Sequence, residues 1–316
     1  MNSAFSLFAL VLAAGLSAAA EPVSLFRDLP LAHGFRLSAV RSSMRPVEVG
    51  TVLSNDSGAK PQWRLAQWGT RFSLEGAGPE YTSAGVRVLA NKGKTVKVLP
   101  GGLAGGGVLL AVHGGAEYGG HLRQYGEPWP HLLIEQAFPG GLRLRDYERI
   151  RFRLQFRIEK AAPAVEKPLN PRLHTGHINA FWTIHNVNPD SADYRNMIWF
   201  GLPLFDARHD IPRGHQALDI GKKDASGKFI CTLKGARFYD APTGGGHWQT
   251  LAVDWLPLVR DALAASQAHG HLTNSRFVDL AATSFNVGWE VPGPYDCAVR
   301  LRGLRMRGET HENGRE

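Results

Sequence analysis

Residues 113–138, HGGAEYGGHLRQYGEPWPHLLIEQAF, gather imidazole, carboxylate, guanidinium and aromatic side chains into one short stretch. The stretch holds Glu117, His121, Arg123, Glu127, Trp129, His131 and Glu135, and its glycines and prolines predict a loop that leads into a strand. Within HLLIEQAF, alternation puts His131, Leu133 and Glu135 on one face and Leu132, Ile134, Gln136 and Phe138 on the other. A carboxylate and an imidazole on one sheet face can serve as acid and base, or can hydrogen-bond sugar hydroxyls. Pairing of Glu135 with an arginine of the run 148–160 would instead make an ordinary solvated face.

A second constellation spans residues 177–215. In HINAFWTIHNV, Asn179, Phe181, Thr183 and His185 share a face opposite Ile178, Ala180, Trp182 and Ile184. The following apolar run ends in FDARHD, which packs Asp206, Arg208, His209 and Asp210 into a strand end. Two carboxylates flanking a glycosidic bond are what a glycosidase uses, so Glu135 and Asp206 are the candidate acid and base. His131 and His185 are the candidate proton-transfer groups, and Arg208 is the candidate substrate clamp. A salt bridge between Arg208 and a neighbouring carboxylate, shaping the loop, is the competing account. Glu117, Arg123, Glu127, Trp129, Asn179 and Trp289 complete the expected substrate-binding set. Of the eight Trp, Trp129 in GEPWPH and Trp289 in GWEVPG are expected to be exposed for stacking on sugar rings, whereas Trp182 reads as core.

Other chemistries lack their motifs. There is no G-x-S-x-G elbow, no HExxH, and no glycine loop followed by Lys-Ser or Lys-Thr. His174 and His177 have an H-x-x-H spacing that is not a helix-based zinc motif. No cofactor and no catalytic metal are expected, and the oxygen-rich turn NVNPDSAD (186–193) leaves a structural calcium open. The balance of 36 basic and 28 acidic residues gives +8, which admits an anionic partner, but no nucleic-acid motif accompanies it.

The elements that must position these residues are strands. With 316 residues, 43% hydrophobic and 20% charged, the chain is neither disordered nor a disulfide-stapled miniprotein. Short alternating runs separated by Gly, Pro and Asn predict strands over 85–90, 94–100, 107–114, 131–138, 148–160, 177–187, 196–205, 248–256 and 297–306. The clearest is 148–160, where Ile150, Phe152, Leu154, Phe156 and Ile158 face one way and Arg151, Arg153, Gln155 and Arg157 the other. One helix is predicted after Asp254, with Pro257 in its first turn, Gly270 at its stop, and Leu256, Val259 and Leu263 as its apolar stripe. Residues 161–172 read as a Pro-rich loop and 21–60 as an irregular extension. Together these predict one all-β, antiparallel sandwich over 21–316.

Residues 1–20 carry no charged side chain and end in Ala18-Ala19-Ala20, the pattern of a cleaved export signal. A secreted or periplasmic protein is therefore expected, with no stable membrane insertion after cleavage. In that compartment Cys231, in KFICTL, and Cys297, in YDCAVRLRGL, either pair or remain buried thiols.

The order of the last third, WQTLAVDWL, a helical connection, then FVDLAATSFNVGWEVPGPYDCAVRLRGLRM, resembles secreted jelly-roll domains of the galactose-binding-like type. Such domains occur in carbohydrate-binding modules and carbohydrate-active enzymes. The resemblance covers residues 107–306 as a pattern and is sharpest over 248–306; it carries no catalytic motif residue by residue. It implies a polysaccharide or oligosaccharide ligand. The expected function is a glycan-cleaving enzyme, hydrolase-like or a lyase, with a lectin-like module and a structural envelope protein as the alternatives.

Overall fold

The computed structural model describes residues 21–41, 46–55, 58–220 and 225–311, so the expected leader at 1–20 lies outside the described residues. Period-two alternation builds the strands β1 (Val23–Ser24), β2 (Phe35–Ser38), β3 (Glu48–Val52), β4 (Trp63–Ala66), β5 (Glu80–Tyr81), β6 (Arg87–Ala90), β7 (Lys94–Val98) and β8 (Val108–His113). The longer strands follow: β9 (His131–Arg143), β10 (Tyr147–Pro163), β11 (His177–Asn186) and β12 (Met197–Asp206). The chain then forms β13 (His215–Leu218), β14 (Phe229–Thr232), β15 (Gln249–Asp254), β16 (Leu280–Glu290) and β17 (Tyr295–Thr310). Helix α1 (Gly114–Tyr118) follows β8, and α2 (Trp255–Ala268) joins β15 to β16.

The strands form two layers, an all-β sandwich of jelly-roll type. The nine-stranded front sheet has the order β13-β14-β12-β11-β16-β9-β4-β2-β3, and the eight-stranded back sheet runs β15-β10-β17-β8-β7-β6-β5, with β1 on β17. Pairing is antiparallel except for β12 with β14 and β2 with β4. All nine predicted strands are present, and β10 faces as expected, with Ile150, Phe152, Leu154, Phe156 and Ile158 buried between the sheets.

Trp182 is fully buried at the centre, 4.8 Å from Phe152, 5.0 Å from Phe285 and 5.4 Å from Trp255 between ring centroids. Helix α2 buries Leu256, Val259 and Leu263, packs against β10, β12 and β14, and so closes one end of both sheets. Its Pro257 needs no donor in the first turn. Trp289 departs from expectation. It belongs to β16 rather than a turn, is fully buried, and its indole N–H donates to the Leu110 carbonyl at 3.0 Å. No sugar can stack on it.

Glu117 departs as well. It lies in α1 beneath the sheet and forms an ion pair with the wholly buried Lys94 of β7 at 3.2 Å. Thr70 and the Phe72 carbonyl take further hydrogen bonds from the ammonium, and the Arg71 backbone N–H donates to the carboxylate. Cys231 and Cys297 sit in different sheets as buried free thiols, with burial pushing Cys231 up to about 11. Among the described residues no helix is long and apolar enough to cross a membrane.

Candidate functional site

Strand register assembles a row of ionisable groups across the outer face of the front sheet. Asp206 of β12 lies opposite His177 of β11, His177 opposite Glu290 of β16, and Glu290 opposite His131 of β9. All four belong to the set that points away from the core, because the alternate residues Ile178, Trp289 and Leu132 point inward and are fully buried. The side chains of His131, His177 and Glu290 keep 21%, 23% and 23% of their surface, enough for a ligand to reach them.

Both imidazoles converge on one carboxylate oxygen. His131 Nε2 is 3.3 Å and His177 Nε2 3.7 Å from Glu290 Oε2. The other nitrogen of His131, Nδ1, lies 3.0 Å from the Trp129 carbonyl, which can only accept, so Nδ1 carries a hydrogen. A hydrogen bond between His131 Nε2 and Glu290 then requires one further proton, on the imidazole or on the carboxyl. A proton shared in this way lies where a third group on the open face can receive it.

Flanking groups fix the row. The indole of Trp129 stacks on His131 at 5.7 Å and 26°, and Trp68 meets the same imidazole edge-on at 6.2 Å. Gly69, at φ +64°, lets the 68–69 turn press against Trp129, since a Cβ there would stand 2.1 Å from the Trp129 carbonyl oxygen. Arg123 is buried rather than free for substrate; it lies 5.2 Å over Trp129 and donates to the carbonyls of Glu127 and Leu173. The Glu127 carboxylate closes its own turn by accepting the Gln124 backbone N–H at 2.6 Å.

At the other end of the row, Arg208 grips Asp206 with Nε and Nη2, the shortest contact being 2.6 Å, and Thr175 donates to the same carboxylate at 2.8 Å. The loop-shaping salt bridge anticipated from FDARHD is therefore present. Burial acts to raise the Asp206 carboxyl, but the Arg208 hydrogen bonds and charge outweigh it and hold the group at about 2. His177 is pushed below the ordinary histidine range by burial, against the opposite pull of Glu290 and Asp206.

The remaining sequence candidates separate from the row. Glu135 is on the same face but four residues along β9 from His131, about 13 Å away at strand rise. It is buried, and it pairs with Arg64 of β4 at 2.6 Å rather than with an arginine of β10; burial raises its carboxyl despite Arg64. Three strand spacings and four residues put Glu135 about 20 Å from Asp206, too far to share one glycosidic bond. His185 sits at the far end of β11, about 26 Å from His177. Asn179 stays on the outer face, two residues from His177.

Sequence reasoning missed Glu290, Trp68 and the central role of His177. Phe181 is on the face expected from alternation; what the sequence did not show is its pairing with Trp199, both half-buried and edge-to-face at 6.4 Å. His174 has both ring nitrogens engaged, with the Asn170 N–H and the Arg123 carbonyl, and among the described residues no cluster of three or more His, Cys, Asp or Glu is arranged for a metal. Cavities of about 400 and 300 Å³ lie elsewhere, the first beside Arg143, Asn188 and Arg276 and the second beside Leu53 and Tyr81. The row is an open face.

The depressed histidines set a sign for stability. His177 and His185 both bind protons less readily when folded, burial being the main cause in each. Below about pH 6.5 the unfolded chain takes up protons that the folded chain resists, so stability is full above that value and falls with pH. Urea midpoints measured from pH 7.5 to 5.0 should fall for the wild type and fall less for His177→Gln. A midpoint that rises as the pH is lowered would contradict this. Asp206 adds a second decline at lower pH, between about 4 and its folded value of about 2.

No protein-family model matches the chain, and no curated protein matches it. Solved structures share its outline at low identity. A family 12 xyloglucanase from Bacillus licheniformis is 10% identical with a TM-score of 0.38, covering 73% of this chain and 96% of that one. A family 11 xylanase from Neocallimastix patriciarum is 8% identical with a TM-score of 0.36, covering 72% and 94%. An endoglucanase from Rhodothermus marinus is 10% identical with a TM-score of 0.36, covering 73% and 95%.

Proposed function

We propose that the outer face of the front sheet binds a polysaccharide and cleaves it by acid–base catalysis centred on Glu290. The observation that carries this is the convergence of His131 Nε2 and His177 Nε2 on Glu290 Oε2. The proton held between Glu290 and His131 passes to the leaving glycosidic oxygen. A water on the Asp206 side of the sugar attacks the anomeric carbon as that bond breaks, and its own proton goes to ionised Asp206, while His177 holds the Glu290 carboxylate in place. Asp206 and Glu290 are two strand spacings apart, about 10 Å at the backbone, which leaves room for the sugar and the water. Phe181 and Trp199 offer an apolar patch for a pyranose ring along the same face. A cleaved leader at residues 1–20 would deliver the protein to where such polymers are found.

The test is a panel of neutral and anionic polysaccharides incubated with the purified protein, scored for new reducing ends and for retention. Release that follows the substrate is the expected result. Retention without release would reduce the face to a lectin-like surface, and neither would remove the glycan assignment.

A further inference from the structure

The opposite face of the molecule carries a charge pattern that the fold does not need. On the outer side of the back sheet, strand register sets arginine directly against arginine: Arg151 opposite Arg307, Arg153 opposite Arg305, and Arg157 opposite Arg300. Like charges at directly opposed positions destabilise a sheet, so these three pairs, with only Gln155 opposite Arg302 between the second and third, work against folding. Carboxylates offset only part of this. Glu309 reaches Arg151 at 3.2 Å and Glu159 reaches Arg157 at 2.6 Å. Among the described residues Arg153, Arg305 and Arg307 have no carboxylate partner, and Arg305 and Arg307 are exposed. Arg300 also donates to the Gly106 carbonyl, and Arg157, Arg300 and Arg302 gather over Trp248, so the repulsion is offset only in part within the fold, and what remains at Arg305 and Arg307 points to a partner outside it.

We infer that this stripe is a docking surface for an anionic polysaccharide, one that bears carboxylate or sulfate groups along its length. Six residues of strand separate the first pair from the last, a stripe about 20 Å long and two strands wide. Guanidinium forks match carboxylate and sulfate oxygens two at a time. The aromatic ring in the stripe, Trp248, lies beneath Arg302 at 3.8 Å from its centroid. Arg157 and Arg300 also lie over this ring, at 5.2 and 5.9 Å, so guanidiniums already occupy the aromatic group that base stacking by single-stranded nucleic acid would use. The stripe is on the other layer from the Glu290 row, so the inference stands whether or not that row is catalytic.

Binding is measured with polygalacturonate, dextran sulfate, uncharged dextran, a single-stranded oligonucleotide and phosphatidylglycerol vesicles. Polygalacturonate or dextran sulfate should bind, and the two arms tell carboxylate from sulfate recognition; uncharged dextran should not. Raising salt from 50 to 200 mM should weaken binding roughly tenfold or more, as for other extended polyanions. Arg305→Gln with Arg307→Gln should weaken it by about tenfold or more while the melting temperature holds or rises, because the substitution relieves repulsion. Arg143→Gln with Arg145→Gln removes equal charge from the β9–β10 connection, beyond the end of the stripe, and should cost no more than about twofold. Equal losses in the two double variants, or tighter binding to the oligonucleotide or vesicles than to both polysaccharides, would overturn the assignment.

Discussion

Glu290→Gln should lower polysaccharide turnover by roughly a thousandfold, within the range seen when a positioned acid or base is lost. That corresponds to about 4 kcal/mol in the barrier. The amide keeps the size of the carboxyl and can still meet His131 and His177, so melting temperature and glycan retention should be nearly unchanged. What it cannot do is exchange a proton with His131 Nε2 at 3.3 Å. Rates at saturating substrate, compared with retention on an insoluble glycan, separate the two effects. Glu135→Gln is the control. Glu135 is locked to Arg64 and lies about 13 Å along β9 from His131, so its loss should change turnover by less than about tenfold. A Glu290→Gln protein that turns over at the wild-type rate would remove Glu290 from the reaction.

The second large effect is on stability. Lys94→Ala should destabilise the fold by about 3–5 kcal/mol, because it leaves Glu117 buried with its charge uncompensated. Glu117→Ala should cost a similar amount from the other side. Burial lowers the Lys94 ammonium, with Glu117 opposing it, so a lone Lys94 would be driven toward the neutral form. Replacing both partners, as Lys94→Met with Glu117→Leu, should cost markedly less than either single change. Urea unfolding at pH 7 decides this, and a single variant losing under about 1 kcal/mol would show that the pair is not what holds α1 to β7.

The strands that alternate without interruption were legible in the chain. Over 150–158 of β10 and 177–185 of β11 each outward residue is polar or aromatic and each inward one is apolar, so faces and burial follow from period two. β16 was not legible as a strand that presents an acid. Leu280, Ala281 and Ala282 are buried on both faces, and a register shift between Ala282 and Ser284 breaks the alternation. The Gly and Pro around Glu290 resemble a turn and so predict an exposed Trp289, but it belongs to the inward set with Phe285 and Val287.

The candidate site suffered from the same step. Residues near one another in sequence, such as His131 and Glu135, were grouped, whereas the row is made across strands 131, 177, 206 and 290. Lys94 shows a different limit. Its place beside Val96 and Val98 on the inward face of β7 follows from alternation, but the partner that makes the burial tolerable is in a helix folded back beneath it.

β16 is inserted between β9 and β11, although both of those strands precede it by more than 90 residues in the chain. While the protein is being made, these two strands have no partner on their facing edges until residues 280–290 arrive. Pairing across such sequence distance is slow, because loop closure must come before the contacts that reward it. The row of ionisable groups is therefore completed among the last events of folding, and pulse-labelled hydrogen exchange should find the β16 amides protected after those that pair β11 with β12. A chain stopped before Leu280 would hold two open strand edges, a form prone to edge-to-edge association. Synthesis of the C-terminal end thus closes the sheet and completes the proposed site in a single step.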